Sequence, residues 1–119
     1  MFKVGELWWG REILYNNPMS IEFETIKQKI AQNKEYLKKT YGVEEIGVFG
    51  SFARGDNDEN SDIDIAIEIN HNKAVVGFFE FARMERFLEE LLGRKVDLVT
   101  KRSIKPYIKE RVLAQIIMI

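Results

Sequence analysis

Residues 50–69 hold the side chains best suited to chemistry: Gly-Ser-Phe-Ala-Arg-Gly, a polar run Asp-Asn-Asp-Glu-Asn-Ser, then Asp-Ile-Asp-Ile-Ala-Ile-Glu-Ile. Gly50 permits a positive φ or a close backbone approach, and Ser51 offers both a hydroxyl and its N–H to a phosphate oxygen. Arg54 keeps its charge and can grip a phosphate through two parallel bonds. Such a turn alone is a common loop former, but ten residues later come Asp62 and Asp64. Two positions apart on a strand, they share one face at about 7 Å spacing. Asp97 stands among apolar residues in a further strand-like stretch, where aspartate is disfavoured. If the strands are neighbours, Asp97 reaches the same spot. Carboxylates that close raise one another's pKa unless a cation lies among them. Oxygen ligands without histidine or cysteine suit Mg2+ or Mn2+ rather than zinc. Two such ions bearing a nucleoside triphosphate would activate an attacking oxygen and neutralise a pyrophosphate leaving group. The plainer alternative puts Asp62 and Asp64 on a solvated face and has Asp97 cap a turn or pair with Arg94.

The elements that must position these groups follow from periodicity. Residues 62–69 alternate, with Asp62, Asp64, Ala66 and Glu68 on one face and Ile63, Ile65, Ile67 and Ile69 on the other, the signature of a strand. Val43–Phe49 reads as a strand entering the Gly-Ser turn, and Lys95–Thr100 as a third. Before them, Phe23, Ile26, Ile30, Tyr36 and Leu37 recur at helical spacing, which predicts one amphipathic helix from Ile21 to about Thr40, capped by Ser20 and closed by Gly42. Its lysines read as a solvated face. Ala74–Leu92 predicts a second helix with Val75, Phe78, Phe79, Ala82, Phe87, Leu88 and Leu91 as its apolar stripe, stopped by Gly93. A last helix begins near Ile104, with Ser103 as its cap and Pro106 in its first turn. The order α-β-β-α-β-α predicts an α/β (α+β) domain, a small mixed sheet flanked by helices. The boundary at Pro18 divides an N-terminal extension, residues 1–19, from the domain, residues 20–119. Trp8 and Trp9 of the extension, and the apolar tail Ile116–Ile119, are candidate surfaces for a partner or for self-association into a homo-oligomer, or else core. His71 reads as a surface residue without a role.

Composition narrows the classes. With 119 residues the chain makes one domain, and its 45% hydrophobic and 31% charged residues are ordinary for a globular protein. The net charge of −1 gives no field for wrapping nucleic acid, so no direct nucleic-acid partner is expected. Absence of cysteine and a single histidine exclude disulfides, thiolate chemistry and histidine- or cysteine-based metal sites. No apolar run approaches the roughly 20 residues of a membrane span, and charged residues interrupt any secretory h-region, so a cytoplasmic location is expected.

Gly50-Ser51, ten residues, then Asp62-Ile63-Asp64 resembles the signature of the DNA polymerase beta-type nucleotidyltransferase superfamily. The fuller form, Gly-Ser-Phe-Ala-Arg-Gly…Ser-Asp-Ile-Asp with Lys95-Val-Asp-Leu-Val downstream, is similar to its minimal nucleotidyltransferase (MNT) branch. The resemblance runs from about Ile21 to the C-terminus and includes Ile104-Lys-Pro-Tyr-Ile-Lys-Glu-Arg-Val-Leu. It implies a polymerase beta-like fold, with Asp62 and Asp64 binding two metal ions, Asp97 completing the site and helping to activate an acceptor hydroxyl, and Gly50, Ser51 and Arg54 holding the triphosphate. It also implies ATP as substrate, a HEPN-domain toxin as partner, and antitoxin action by transfer of AMP to a tyrosine of that toxin. Larger members of the superfamily carry extra lobes that shape the acceptor site; a chain of this size leaves the acceptor to be shaped by another subunit. The alternatives are a stand-alone transferase for a small hydroxyl compound such as an aminoglycoside, and an antitoxin that acts by binding alone.

Overall fold

The computed structural model describes residues 18–70, 72 and 76–119. Trp8, Trp9, His71, Ala74 and Val75 lie outside them. In order, the elements are α1 (Pro18–Gln32), α2 (Lys34–Tyr41), β1 (Val43–Phe49), α3 (Ser51–Arg54), β2 (Ile63–Ile69), α4 (Phe78–Leu92), β3 (Val96–Thr100), a 3-10 turn (Lys101–Ser103), α5 (Pro106–Gln115) and β4 (Ile117–Met118). The strands form one mixed sheet in the order β3-β2-β1-β4. β1 runs antiparallel to both β2 and β4, whereas β2 and β3 are parallel.

The alternation in β2 decides which face is core. Ile63, Ile65, Ile67 and Ile69 are buried, together with Val96 and Leu98 of β3, against Ile26 and Ile30 of α1, Leu37 of α2, and Met84, Leu88 and Leu92 of α4. Each fully buried isoleucine contributes on the order of 2 kcal/mol, so slipping the register of β2 by one residue would forfeit several times that and bury its carboxylates. The sheet position of the acidic face is therefore fixed by the isoleucines behind it.

The helices depart from expectation at their bounds and caps. The first helix is two, divided at Asn33, whose side-chain amide donates to the Lys29 carbonyl at 2.8 Å and so competes with the backbone ladder. It starts at Pro18, suited to a first helical position, so Ser20 lies inside it rather than capping it. α4 starts at Phe78, not Ala74: the Gly77 N–H donates to Glu80 Oε1 at 3.1 Å, closing its first turn. That shift rotates the stripe. Phe78 is 81% and Phe79 70% exposed, and the inward face is Met84, Leu88 and Leu92 flanked by Phe81, Phe87 and Leu91. Ser103 caps no helix; its hydroxyl donates to the Thr100 carbonyl at 2.8 Å in the 3-10 turn, and α5 begins at Pro106.

The tail adds a strand that the expected element order did not include. Ile117 and Met118 form the edge strand β4, and the Ile119 N–H donates to the Ile46 carbonyl at 3.0 Å. Gly47 makes this possible: a Cβ there would meet Ile116 at 2.8 Å and the Met118 sulfur at 2.9 Å. Among the described residues no helix is long and apolar enough to cross a membrane.

Candidate active site

β1 ends beside the acidic face of β2, and the chain then turns through Gly50 into the single turn of α3. Gly50 has φ 75° and ψ −149°, a region that side chains avoid, and a Cβ built on it would collide with the Asp64 carboxylate oxygen Oδ2. Conformation and space both demand glycine here. The consequence is functional: the turn carrying Ser51 packs directly on Asp64. Phe49 is opposite Asp64 in the antiparallel register, which leaves Gly50 and Ser51 at the rim of the carboxylates. Phe52, 2% exposed, pins α3 to the core. Arg54 at its end donates to Asp56 Oδ2 at 3.2 Å and Gln115 Oε1 at 3.4 Å, and lies near enough to Asp64 to draw its pKa down.

The parallel pairing of β2 with β3 sets Asp64 directly beside Asp97, and the two side chains are hydrogen-bonded. Burial first, then the charges of Asp97 and Asp62, raise the Asp64 carboxyl from 3.8 to about 6; Arg54 opposes them, and the bond that protonated Asp64 donates to Asp97 adds to the rise. Asp62 precedes β2 by one residue and is exposed, as is Asp97; Asp64 is half-buried. The carboxylates therefore stand on an open face. Among the described residues no three acidic or histidine side chains already enclose a common point at metal-binding distance. Asp64 and Asp97 are brought together, and Asp62 is held within electrostatic reach but points outward. The donor set still fits a hard divalent cation: oxygen only, with a half-buried carboxyl whose raised pKa reports burial and crowded negative charge that a cation would relieve.

Arg94 does not pair with Asp97, as the plainer sequence alternative had it. Its guanidinium meets Glu22 of α1 at 2.7 Å and donates to the carbonyls of Ser61 at 2.7 Å and Glu59 at 3.2 Å, with its carbon 5.2 Å from the Phe52 ring centroid. One side chain thus ties together α1, α3, the loop before Asp62, and the start of β3. The loop is also self-braced: the Asp58 N–H donates to Ser61 Oγ at 2.9 Å and the Asn60 N–H to Asp58 Oδ1 at 2.9 Å. The Ile63 N–H reaches the Lys95 carbonyl at 2.9 Å, fixing the residue that follows Asp62. Sequence reasoning missed this clamp because its partners lie 33 to 72 residues away and share no motif with it.

A mixed sheet sets paired carboxylates against a glycine-serine turn. Comparison with known proteins gives the class of protein. The model of the family described as "Nucleotidyltransferase domain" matches residues 30–119. The chain is 39% identical over 97 residues to the protein adenylyltransferase MntA of Thermococcus cleftensis, covering 82% of this chain and 95% of that one. A solved structure provisionally described as a minimal nucleotidyltransferase superposes with TM-score 0.67 at 32% identity, covering 80% of this chain and 93% of that chain. A structure of a tri-AMPylated Shewanella oneidensis HEPN toxin in complex with its MNT antitoxin shares the fold alone, at TM-score 0.52 and 21% identity, covering 84% of this chain and 70% of that chain. The chain belongs to the nucleotidyltransferase domain family.

Proposed function

We propose that this nucleotidyltransferase is a protein adenylyltransferase: it moves AMP from ATP to a tyrosine hydroxyl of a HEPN-domain toxin and thereby acts as its antitoxin. The observation that carries the reading is the contact of Gly50 with Asp64, which joins a phosphate-binding turn to a carboxylate pair. The name of the Thermococcus relative and the modified toxin held by the Shewanella complex support the transferred group and the kind of acceptor. The open face supports a macromolecular acceptor over a small hydroxyl compound, because an enclosed site is what a small acceptor needs.

In this reading Asp62, Asp64 and Asp97 hold Mg2+ or Mn2+, which when bound neutralises charge on the triphosphate. The Ser51 N–H and hydroxyl, with Arg54, bind the triphosphate and orient the α-phosphorus over the sheet. Asp97, the more exposed of the hydrogen-bonded pair, accepts the proton of the tyrosine hydroxyl as that oxygen attacks. A phosphorus–oxygen bond to the tyrosine forms, the bond to pyrophosphate breaks, and the proton ends on an Asp97 carboxylate oxygen. Arg54 steadies the departing pyrophosphate. With ATP labelled at the α-phosphate, Mg2+ and a co-expressed HEPN-domain protein, label is expected on the partner. Asp62→Ala or Asp97→Ala should lower the rate by about 100-fold or more with the circular dichroism unchanged. Transfer that survives either change overturns the assignment.

A further inference from the structure

Arg54 reaches the site from the last position of α3, a helix of four residues, with 46% of its side chain exposed. A long exposed side chain keeps most of its rotamer freedom unless something fixes it. Two partners do so here. The Nε–H donates to Asp56 Oδ2 at 3.2 Å, and an Nη1–H donates to Gln115 Oε1 at 3.4 Å. The two differ in kind. Asp56 is exposed, lies two residues away, and its charge competes with a phosphate for the guanidinium. Gln115 is half-buried, neutral, and 61 residues away in sequence. It takes one of the five guanidinium donors without offsetting the charge, and leaves Nη2 and the second Nη1 hydrogen for a phosphate. The guanidinium held this way is close enough to Asp64 for its charge to act on that carboxyl.

The fold gives Gln115 a firm base. It is the last residue of α5; the next N–H, of Ile116, donates to the Val112 carbonyl at 2.9 Å, and β4 then pairs with Gly47 and Val48 of β1. Gly47 is opposite Ala66, and Phe49 is opposite Asp64, so Gly47 shares the face of the carboxylates. Ile116 stands on that face, since a Cβ at Gly47 would strike it at 2.8 Å. Two residues along β1, about 7 Å, separate this point from the level of Asp64. The acidic face is exposed at Asp62, half-buried at Asp64 and closed at Ala66, which is fully buried. The junction of α5 and β4 is thus built against the carboxylate face, and Gln115 is the side chain it extends to Arg54.

We propose that Gln115 is a positioning residue for nucleotide binding: it holds the Arg54 guanidinium at the rim of the carboxylates, with its remaining donors turned to the triphosphate. The proposal rests on the assignment of Arg54 to the triphosphate. It gives the C-terminal strand a part in the site, because the pairing of β4 with β1 fixes where Gln115 stands.

Titration calorimetry of the full chain with ATP and Mg2+ tests this as a double-mutant cycle. Gln115→Met keeps the length of the side chain and suits the helix but removes the acceptor, and should raise the Kd for ATP by about three- to tenfold. In an Arg54→Ala background the same change should stay within about twofold, because the group it positions is gone. An unchanged Kd for Gln115→Met, while Arg54→Ala weakens binding, overturns the positioning role and leaves the triphosphate assignment standing. An equal loss in both backgrounds also overturns it, since Gln115 then acts on the nucleotide or the fold without Arg54. An ATP affinity that Arg54→Ala leaves unchanged overturns the assignment of Arg54 to the triphosphate, and the proposal with it.

Discussion

Replacing Asp64 by asparagine should make the protein more stable while abolishing its activity. Burial and the neighbouring charges of Asp97 and Asp62 hold the Asp64 carboxyl at about 6, against 3.8 for the free group. The folded state therefore binds this proton more tightly than the unfolded chain, and stability falls as pH rises through the window from 3.8 to about 6. Fully expressed, that difference is about 3 kcal/mol above the window; the carboxyl is partly solvated, and screening reduces it to about 1.5 kcal/mol. Asp64→Asn keeps the shape and can still hydrogen-bond to Asp97, but carries no charge. In a chelator-containing buffer near pH 8, Tm should rise by about 5 °C relative to the parent, with the gain vanishing near pH 4. Thermal melts followed by circular dichroism across that pH range measure both. A variant less stable than the parent near pH 8, or a gain independent of pH, would refute the reasoning.

Other perturbations test the supports of the site. Millimolar Mg2+ should raise the parent's Tm, by about 1.4 kcal/mol of stability at ten times Kd, and leave Asp64→Asn almost unmoved in the same calorimetric scan. Gly50→Ala forces a side chain into φ 75° and onto the Asp64 carboxylate, and should cost about 2–4 kcal/mol by urea denaturation. Arg94→Ala leaves Glu22 and two carbonyls without their donor, costing about 2–3 kcal/mol, and should lower kcat more than it raises the KM for ATP; Arg94→Lys restores the charge without the fork and should recover only part. Gly47→Ala should displace Ile116 and Met118 and release β4, seen as faster hydrogen exchange at the Ile119 amide, which Ile46 otherwise protects.

Much of this was legible because local and tertiary demands coincide. In β2 the alternation that makes a strand also separates the isoleucine core from the acidic face, so one stretch reports element, orientation and site together. The juxtaposition of Asp97 with Asp64 needed only a parallel neighbour, and an isolated aspartate between Val96 and Leu98 pointed to it. The misreadings occurred where a local polar contact outweighs apolar periodicity. Asn33 divides the first helix through its bond to Lys29, although Tyr36 and Leu37 continue the spacing. Glu80 closes the first turn of α4 onto Gly77, which leaves Phe78 and Phe79 outside the buried stripe to which their spacing assigned them. The tail has no alternation to mark it as a strand; its pairing depends on the room that Gly47 leaves on a strand some 70 residues earlier. Arg94 was invisible as a clamp for the same reason: only the fold collects Glu22, Phe52, Glu59 and Ser61 around it.

The most direct test of the central claim is the intact mass of a co-expressed HEPN-domain protein after incubation with this chain, Mg2+ and ATP. The account predicts a gain of whole AMP units on that protein, absent with Asp64→Asn. An unchanged mass in the presence of a stable complex between the two proteins would contradict it.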